Sequence, residues 1–258
     1  MFVKKYANGD IFSIFARVSI AKLWISSVKN HEFCCRMGSR LKKVLLSTAY
    51  LPPVEYLTVL CCSEKCFIEL HETYQRQSWR NRCRIISANG PMNLIIPVSR
   101  PAGNHTKTKD VLISHHENWQ KQHWQSIRSA YSNAPYFLYY KDLLEPFYKT
   151  GPDQHLWQFN HELLECIIKE IDLPVKIEFT TGFIKNPEDR IDLRHVLTPK
   201  THRRKEAVVS RWESYYQVFQ GRHGFIPNLS ILDLLFHTGP DTLPYLKDSA
   251  EQITFLSK

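Results

Sequence analysis

The feature that most constrains the fold is a strand–helix–strand pattern over residues 44–71. Val44–Tyr50 (VLLSTAY) is an apolar run of strand length. Pro52-Pro53 end it, because proline fixes φ and lacks a donor, and they open a helix around Val54–Cys61. Lys65–His71 (KCFIELH) is a second strand. Such β-α-β units generally make parallel pairs. Both strands then end on one edge of the sheet, and open α/β sheets bind ligands outside that carboxyl edge.

The rest of the chain fits an α/β protein with a mixed sheet, a β-α-β unit, a β-hairpin and a largely helical C-terminal half. Arg82–Ser87 and Met92–Val98 flank Ala88-Asn89-Gly90-Pro91, where Asn-Gly signals a hairpin turn. Asp110–His115 reads as a short strand. Helices are predicted over Asn118–Ser132, Tyr136–Tyr148 and Asp153–Ile171, the last with Leu156, Phe159, Leu163, Ile167 and Ile171 on one stripe. Val175–Thr180 reads as a strand, 185–213 as a long polar loop with irregular helix, and Asn228–Phe236 as a short helix ended by Gly239-Pro240.

Charge separates the ends of the chain. Residues 1–43 hold nine Lys and Arg against Asp10 and Glu32, a net +7 of the chain's +9. The remaining body is nearly neutral, whereas a nucleic-acid binder carries a basic face on its folded domain, so nucleic acid is not the expected partner. Met37 opens MGSRLKK directly before the first strand and reads as a start site. Residues 1–36 are therefore expected to be an extension outside a single domain over 37–258. An amphipathic surface-binding helix is the other reading of that extension. No apolar run reaches the roughly 20 residues of a membrane span, so no stable membrane insertion is expected. Seven cysteines in irregular spacing, with no CxxC pair, read as reduced thiols in the cytoplasm. The histidines lack metal-ligand spacing, and there is no Walker A loop, GxGxxG, HExxH or GxSxG, so no metal and no cofactor is expected.

Three constellations can carry chemistry. Tyr50 and the segment Glu72, Tyr74, Gln77, Arg80, Asn81 and Arg82 follow the two strand ends, and guanidiniums grouped this way bind carboxylate or phosphate. An exposed turn of solvated charges explains the same residues. Around 216–240, Arg222 and His223 precede a helix whose N-terminal N–H groups can attract an anion, with Asn228 at its edge. There His223 reads as a general acid or base, and Ser230 with Asp233 reads as a capping box. The stripe Trp119, His123 and Ser126 is the third, and core packing explains it. Glu72, Arg80, Arg82, Tyr50, Arg222 and His223 are expected to converge on one cleft, and Arg80 is expected to be removable without loss of fold.

The order YLPPVEY, RQSWRNRCRI with its Asn-Gly, WQKQHWQSIRSAYSNAPYF and RHGFIPNLSILDLLFHTGP resembles the WbqC-like family of bacterial proteins over about residues 44–245. The resemblance implies an association with O-antigen and other surface-polysaccharide genes, and a glycyl or other acyl transfer to an amino sugar or related metabolite. On that reading Glu72 or His223 is the base. Tyr50, Gln77, Arg80, Asn81, Arg82, Arg222 and Asn228 bind a small-molecule or carrier-linked anionic substrate. A non-catalytic module binding an anionic metabolite or a partner protein is the alternative. Where relatives carry His-Gln ahead of the tyrosine, this chain has Thr48 and Ala49.

Overall fold

The computed structural model describes residues 32–34, 41–114, 117–149, 154–199 and 208–256. Residues 1–31 and 35–40, with Met37 among them, lie outside the described residues, as do His115 and His116. Within the stretch read as an extension, β1 (Glu32–Cys34) pairs antiparallel with the last strand, β10 (Thr254–Leu256).

The β-α-β unit forms as β2 (Leu41–Ser47), α1 (Val54–Cys61) and β3 (Ser63–Glu69). The two strands are parallel, with Leu41 opposite Ser63 and Ser47 opposite Glu69. β8 (Lys176–Phe179) adds to β3 and β9 (Ile191–Asp192) to β2, both parallel, giving the order β8-β3-β2-β9. The chain thus steps outward from β2 through β3 to β8, then crosses back to the far side of β2. The strand order reverses between β2 and β9, which makes that gap the topological switch point where open sheets take ligands.

Burial follows from this layering. Leu41, Val44, Leu45 and Leu46 are almost wholly buried, as a strand covered on both faces requires. All eight residues of α1 are buried, because the helix lies between the sheet and the C-terminal helices α6 (Ile231–Thr238) and α7 (Thr242–Ala250). Leu232, Leu235 and Phe236 of α6 point into this core. The hairpin β4 (Arg82–Ser87) and β5 (Gly90–Ile95) stands as its own ribbon, turning through Ala88-Asn89 into Gly90 at φ 106°.

Three sequence readings shift. The expected strand Asp110–His115 becomes a 3₁₀ turn, Thr108–Asp110, and the two-residue β7 (Leu112–Ile113), paired with β6 (Val98–Ser99). The polar stretch after 185 contains β9. The helix expected over Tyr136–Tyr148 runs as Phe137–Leu144 and tightens into a 3₁₀ turn, Glu145–Tyr148, because Pro146 cannot donate to the helical ladder.

Between the hairpin and the helices Trp119–Tyr131 and Leu156–Glu170, designated α2 and α4 with Phe137–Leu144 as α3, sits an aromatic box of Tyr50, Trp119, His123, Tyr148 and Phe159. The Tyr50 hydroxyl shares hydrogen bonds with His123 Nδ1 at 3.0 Å and with the Tyr148 hydroxyl at 2.8 Å. Tyr50 was expected to line the substrate cleft. It is instead fully buried, and its hydroxyl is engaged by both of these side chains.

Burial pulls the His123 pKa down to about 4. An unfolded histidine titrates near 6.5, so the unfolded chain binds the extra proton first as pH falls. The stabilisation is complete above about pH 6.5 and is lost towards pH 4, by roughly 3 kcal/mol at the limit. His123→Gln keeps an acceptor for Tyr50 but does not titrate. Urea midpoints should therefore fall more steeply between pH 7 and 4.5 for the wild type than for the variant. Equal slopes would show that His123 does not set the acid limit.

Candidate functional site

The carboxyl edge of the sheet is held by buried charge. Glu69 ends β3 and is fully buried. Its Oε1 accepts from the His71 amide and the Thr180 hydroxyl, each at 2.8 Å, and its Oε2 from the Ile184 amide at 3.0 Å and Arg194 Nη1 at 3.5 Å. Arg194, just after β9, also grips Asp192 with Nη2 at 2.6 Å, and that pairing pushes the guanidinium pKa up. These bonds tie the ends of β3, β8 and β9 together.

A second buried pair stands beside the first. Arg80 reaches Glu72 Oε1 with both Nε (3.2 Å) and Nη2 (2.5 Å), and Nη2 also donates to the Ser47 hydroxyl at the end of β2. Both contacts fall on one carboxylate oxygen. Oε2 of Glu72 has no partner among the described residues. Asn160 of α4 locks the backbone here, donating to Arg80 O at 2.8 Å and to Thr48 Oγ1 at 3.1 Å. Ser47, Thr48, Ala49, Arg80, Leu193 and Leu197 line a small cavity at the switch point with room for about one water.

The helix N-termini near this edge are occupied. The Val54 amide of α1 donates to Leu229 O, the Glu55 amide to Asn228 Oδ1, and the Tyr56 amide to Pro53 O. In α6, the Ile231 amide donates to Pro52 O and the Leu232 amide to Ser230 Oγ. The segments 50–53 and 228–231 therefore cap one another, and neither helix offers free N–H groups to an anion. Asn228 is committed further: its Nδ2 donates to Glu55 Oε2 at 2.8 Å. Ser230 caps α6 as expected, but Asp233 turns inward and accepts from Tyr215 (2.6 Å) and Gln217 (2.7 Å) instead of closing a capping box.

The single cleft expected from sequence does not form. Arg222 and His223, on the short helix α5 (Gln220–His223), both bond Ala88 O at the hairpin tip. The six residues of β4, Arg82–Ser87, carry that tip roughly 20 Å from the sheet edge where Arg80 lies. Glu72 and Arg80 meet, whereas Arg222 and His223 clasp the hairpin elsewhere.

Tyr74, Gln77, Asn81 and Arg82 do share a site. Together with Arg76, Val98 and Arg100, which were not singled out from sequence, they line an open recess of about 280 Å³. Arg80, Arg82 and Arg76 all lie close enough to Tyr74 to pull its pKa down, yet burial dominates and holds it up at about 12. Tyr74, two residues after Glu72, and Asn81, next to Arg80, both line the recess. His71 was also missed: its Nε2 faces Thr180 O at 3.1 Å and must donate, which leaves Nδ1 as a lone pair without a partner among the described residues. Its place at the end of the predicted strand Lys65–His71 was the available signal. The thiols offer no nucleophile at this edge, since burial pushes Cys66 and Cys83 up. Among the described residues, no group of three or more His, Cys, Asp or Glu is placed to hold a metal ion, and no helix is long and apolar enough to cross a membrane.

A parallel sheet with a reversal beside β2, a charge-locked carboxyl edge and a basic recess defines an open-sheet α/β domain. The chain belongs to the WbqC-like protein family, which matches residues 48–206. That span contains Glu72, Arg80 and the recess, and ends before Arg222, His223 and the PNLSILDLLFHTGP motif. The uncharacterized protein Rv1507c of Mycobacterium tuberculosis is 26% identical over 232 residues, covering 80% of this chain and 98% of that protein. No solved structure matches the chain.

The expectation that Arg80 is removable without loss of fold is revised, because it neutralises a buried carboxylate. Arg80→Met should cost about 3–5 kcal/mol in urea unfolding, since it leaves Glu72 buried and unpaired. Adding Glu72→Met should recover most of that loss. Additive losses in the double variant would contradict the pairing.

Proposed function

We propose that this WbqC-like protein binds an anionic small-molecule or carrier-linked substrate at the carboxyl edge of its parallel sheet. There it transfers a glycyl or other acyl group to an amino group which that substrate carries. The observation that carries the reading is that the recess is lined by Tyr74 and Asn81, two residues after Glu72 and one after Arg80 of the buried pair. The recess supplies positive charge for the anion. Arg80 pins one oxygen of Glu72 and leaves the other as a lone pair for the amine proton. As the amine attacks an activated acyl carbonyl, the C–N bond forms, the bond to the leaving group breaks, and the amine's proton passes to the carboxylate. His71 Nδ1, fixed by the Thr180 carbonyl, is a second acceptor on the same edge. An amino sugar on its way into a surface polysaccharide has the required amine, and its activated forms are anionic. The free, buried cysteines favour a reducing, cytoplasmic setting for this chemistry.

One observation favours the non-catalytic alternative. The switch-point cavity has room for only about one water, which makes the edge a support for a binding recess alone on that reading. Mass spectrometry of an amino-sugar phosphate incubated with an activated glycyl or acetyl donor distinguishes the two. The transferase reading expects an acylated product, with turnover reduced about a hundredfold or more by Glu72→Gln while substrate affinity holds within about threefold. Binding without product from any donor would leave a binding module.

A further inference from the structure

Three guanidiniums around one small recess pose a problem that the fold does not solve internally. Arg76, Arg82 and Arg100 all line it. No carboxylate pairs with any of them among the described residues, and Arg100 is engaged only by the Asn104 side chain at 3.2 Å. By contrast, Arg80 and Arg194, a few residues away in space or sequence, are both neutralised by buried carboxylates. Arg82 is the costliest of the three. It is half-buried, and its Nε is sealed from solvent with no acceptor. A partly desolvated, unpaired cation is unfavourable unless an anion completes it. Beside it, Asn81 Nδ2 donates to Ile96 O at 2.9 Å, so the amide orientation is fixed and Oδ1 is left as a buried acceptor without a donor. Gln77 at the rim holds a positive φ of 53°, a backbone cost that the turn bears while shaping this wall.

The number of forks selects the anion. A carboxylate has two oxygens, and one arginine satisfies it in bidentate fashion. Two further guanidiniums would then stay unpaired and repel each other. A phosphate ester presents more oxygens and up to about two negative charges, enough for three forks and the Tyr74 hydroxyl. The recess volume of about 280 Å³ lies at the small end of ligand sites, which suits a phosphate or pyrophosphate with the start of a polar body. The orphaned Asn81 acceptor beneath it would favour a hydroxyl or amine next to the phosphate.

We propose that the recess bounded by Arg76, Arg82 and Arg100 is a phosphate-binding site that takes the phosphate or pyrophosphate of a phosphorylated small molecule. This rests on the reading that the recess takes the anionic substrate, and it names that anion. Arg76 and Arg100 become ligand-holding residues alongside Arg82.

Calorimetric titration of the full chain with inorganic phosphate, pyrophosphate, a dicarboxylate and a single-stranded oligonucleotide tests it. Pyrophosphate should bind more tightly than the dicarboxylate. Arg76→Ala and Arg100→Ala should each weaken pyrophosphate about tenfold or more, as loss of a charge-assisted contact implies, with unchanged melting temperatures. Arg128→Ala, on the exposed side of α2, should leave the affinity unchanged. Equal affinity for the dicarboxylate, indifference to both recess variants, or tighter binding of the oligonucleotide than of pyrophosphate would overturn the proposal. Acyl transfer is measured separately on the same proteins. Phosphate bound in the recess without transfer refutes the transferase reading alone, and transfer that survives both recess variants refutes the phosphate site alone.

Discussion

Glu69 is the carboxylate on which the carboxyl edge of the parallel sheet depends. A two-residue strand such as β9 contributes few ladder bonds, and β8 has four residues, so hydrogen bonding along the strands secures neither edge. Glu69 supplies what the ladders lack by accepting from His71, Thr180, Ile184 and Arg194. A buried carboxylate without partners would cost several kcal/mol. With four donors converging on it, the same group makes the crossover from β8 to β9 geometrically specific. It thereby places the switch point beside β2.

That arrangement separates structural from available charge. Arg194 and Arg80 are consumed in neutralising Glu69, Asp192 and Glu72, and the N-termini of α1 and α6 are consumed in capping each other. Arg76, Arg82 and Arg100 of the recess, by contrast, have no carboxylate partner among the described residues. The hairpin tip clasped by Arg222 and His223 is a separate locus, and its task in this structure is to hold Ala88.

The β-α-β unit was legible because two proline residues, strand-length apolar runs and a buried helix all agree locally. The hairpin was legible from Asn89-Gly90. β9 was not, since Ile191-Asp192 in a polar, charged stretch has no periodicity of its own and becomes a strand only through β2. Glu72 and Arg80 were found from their place after a strand end, and they do meet. The expected union with Arg222 failed for a geometric reason: the hairpin between them is a lever of roughly 20 Å, and sequence spacing gives no sign of which way it points. Tyr50 misled for a different reason. Its position after β2 suggests a ligand contact, but the box of Trp119, His123 and Tyr148 that swallows it comes from residues about 70 to 100 positions downstream. Arg100 and His71 carry no motif, and only folding shows what surrounds them.

Residue-resolved amide hydrogen exchange on Glu69→Gln tests most directly whether one buried carboxylate holds this edge together. The charge and one acceptor are lost while shape is nearly kept. The amides of His71 and Ile184, which donate to Glu69, should exchange at least tenfold faster, and Leu193, which donates to Leu45 O, should follow as β9 loosens. Amides of α1 should keep their protection. Unchanged exchange at His71 and Ile184, or the same acceleration throughout the molecule, would contradict the account.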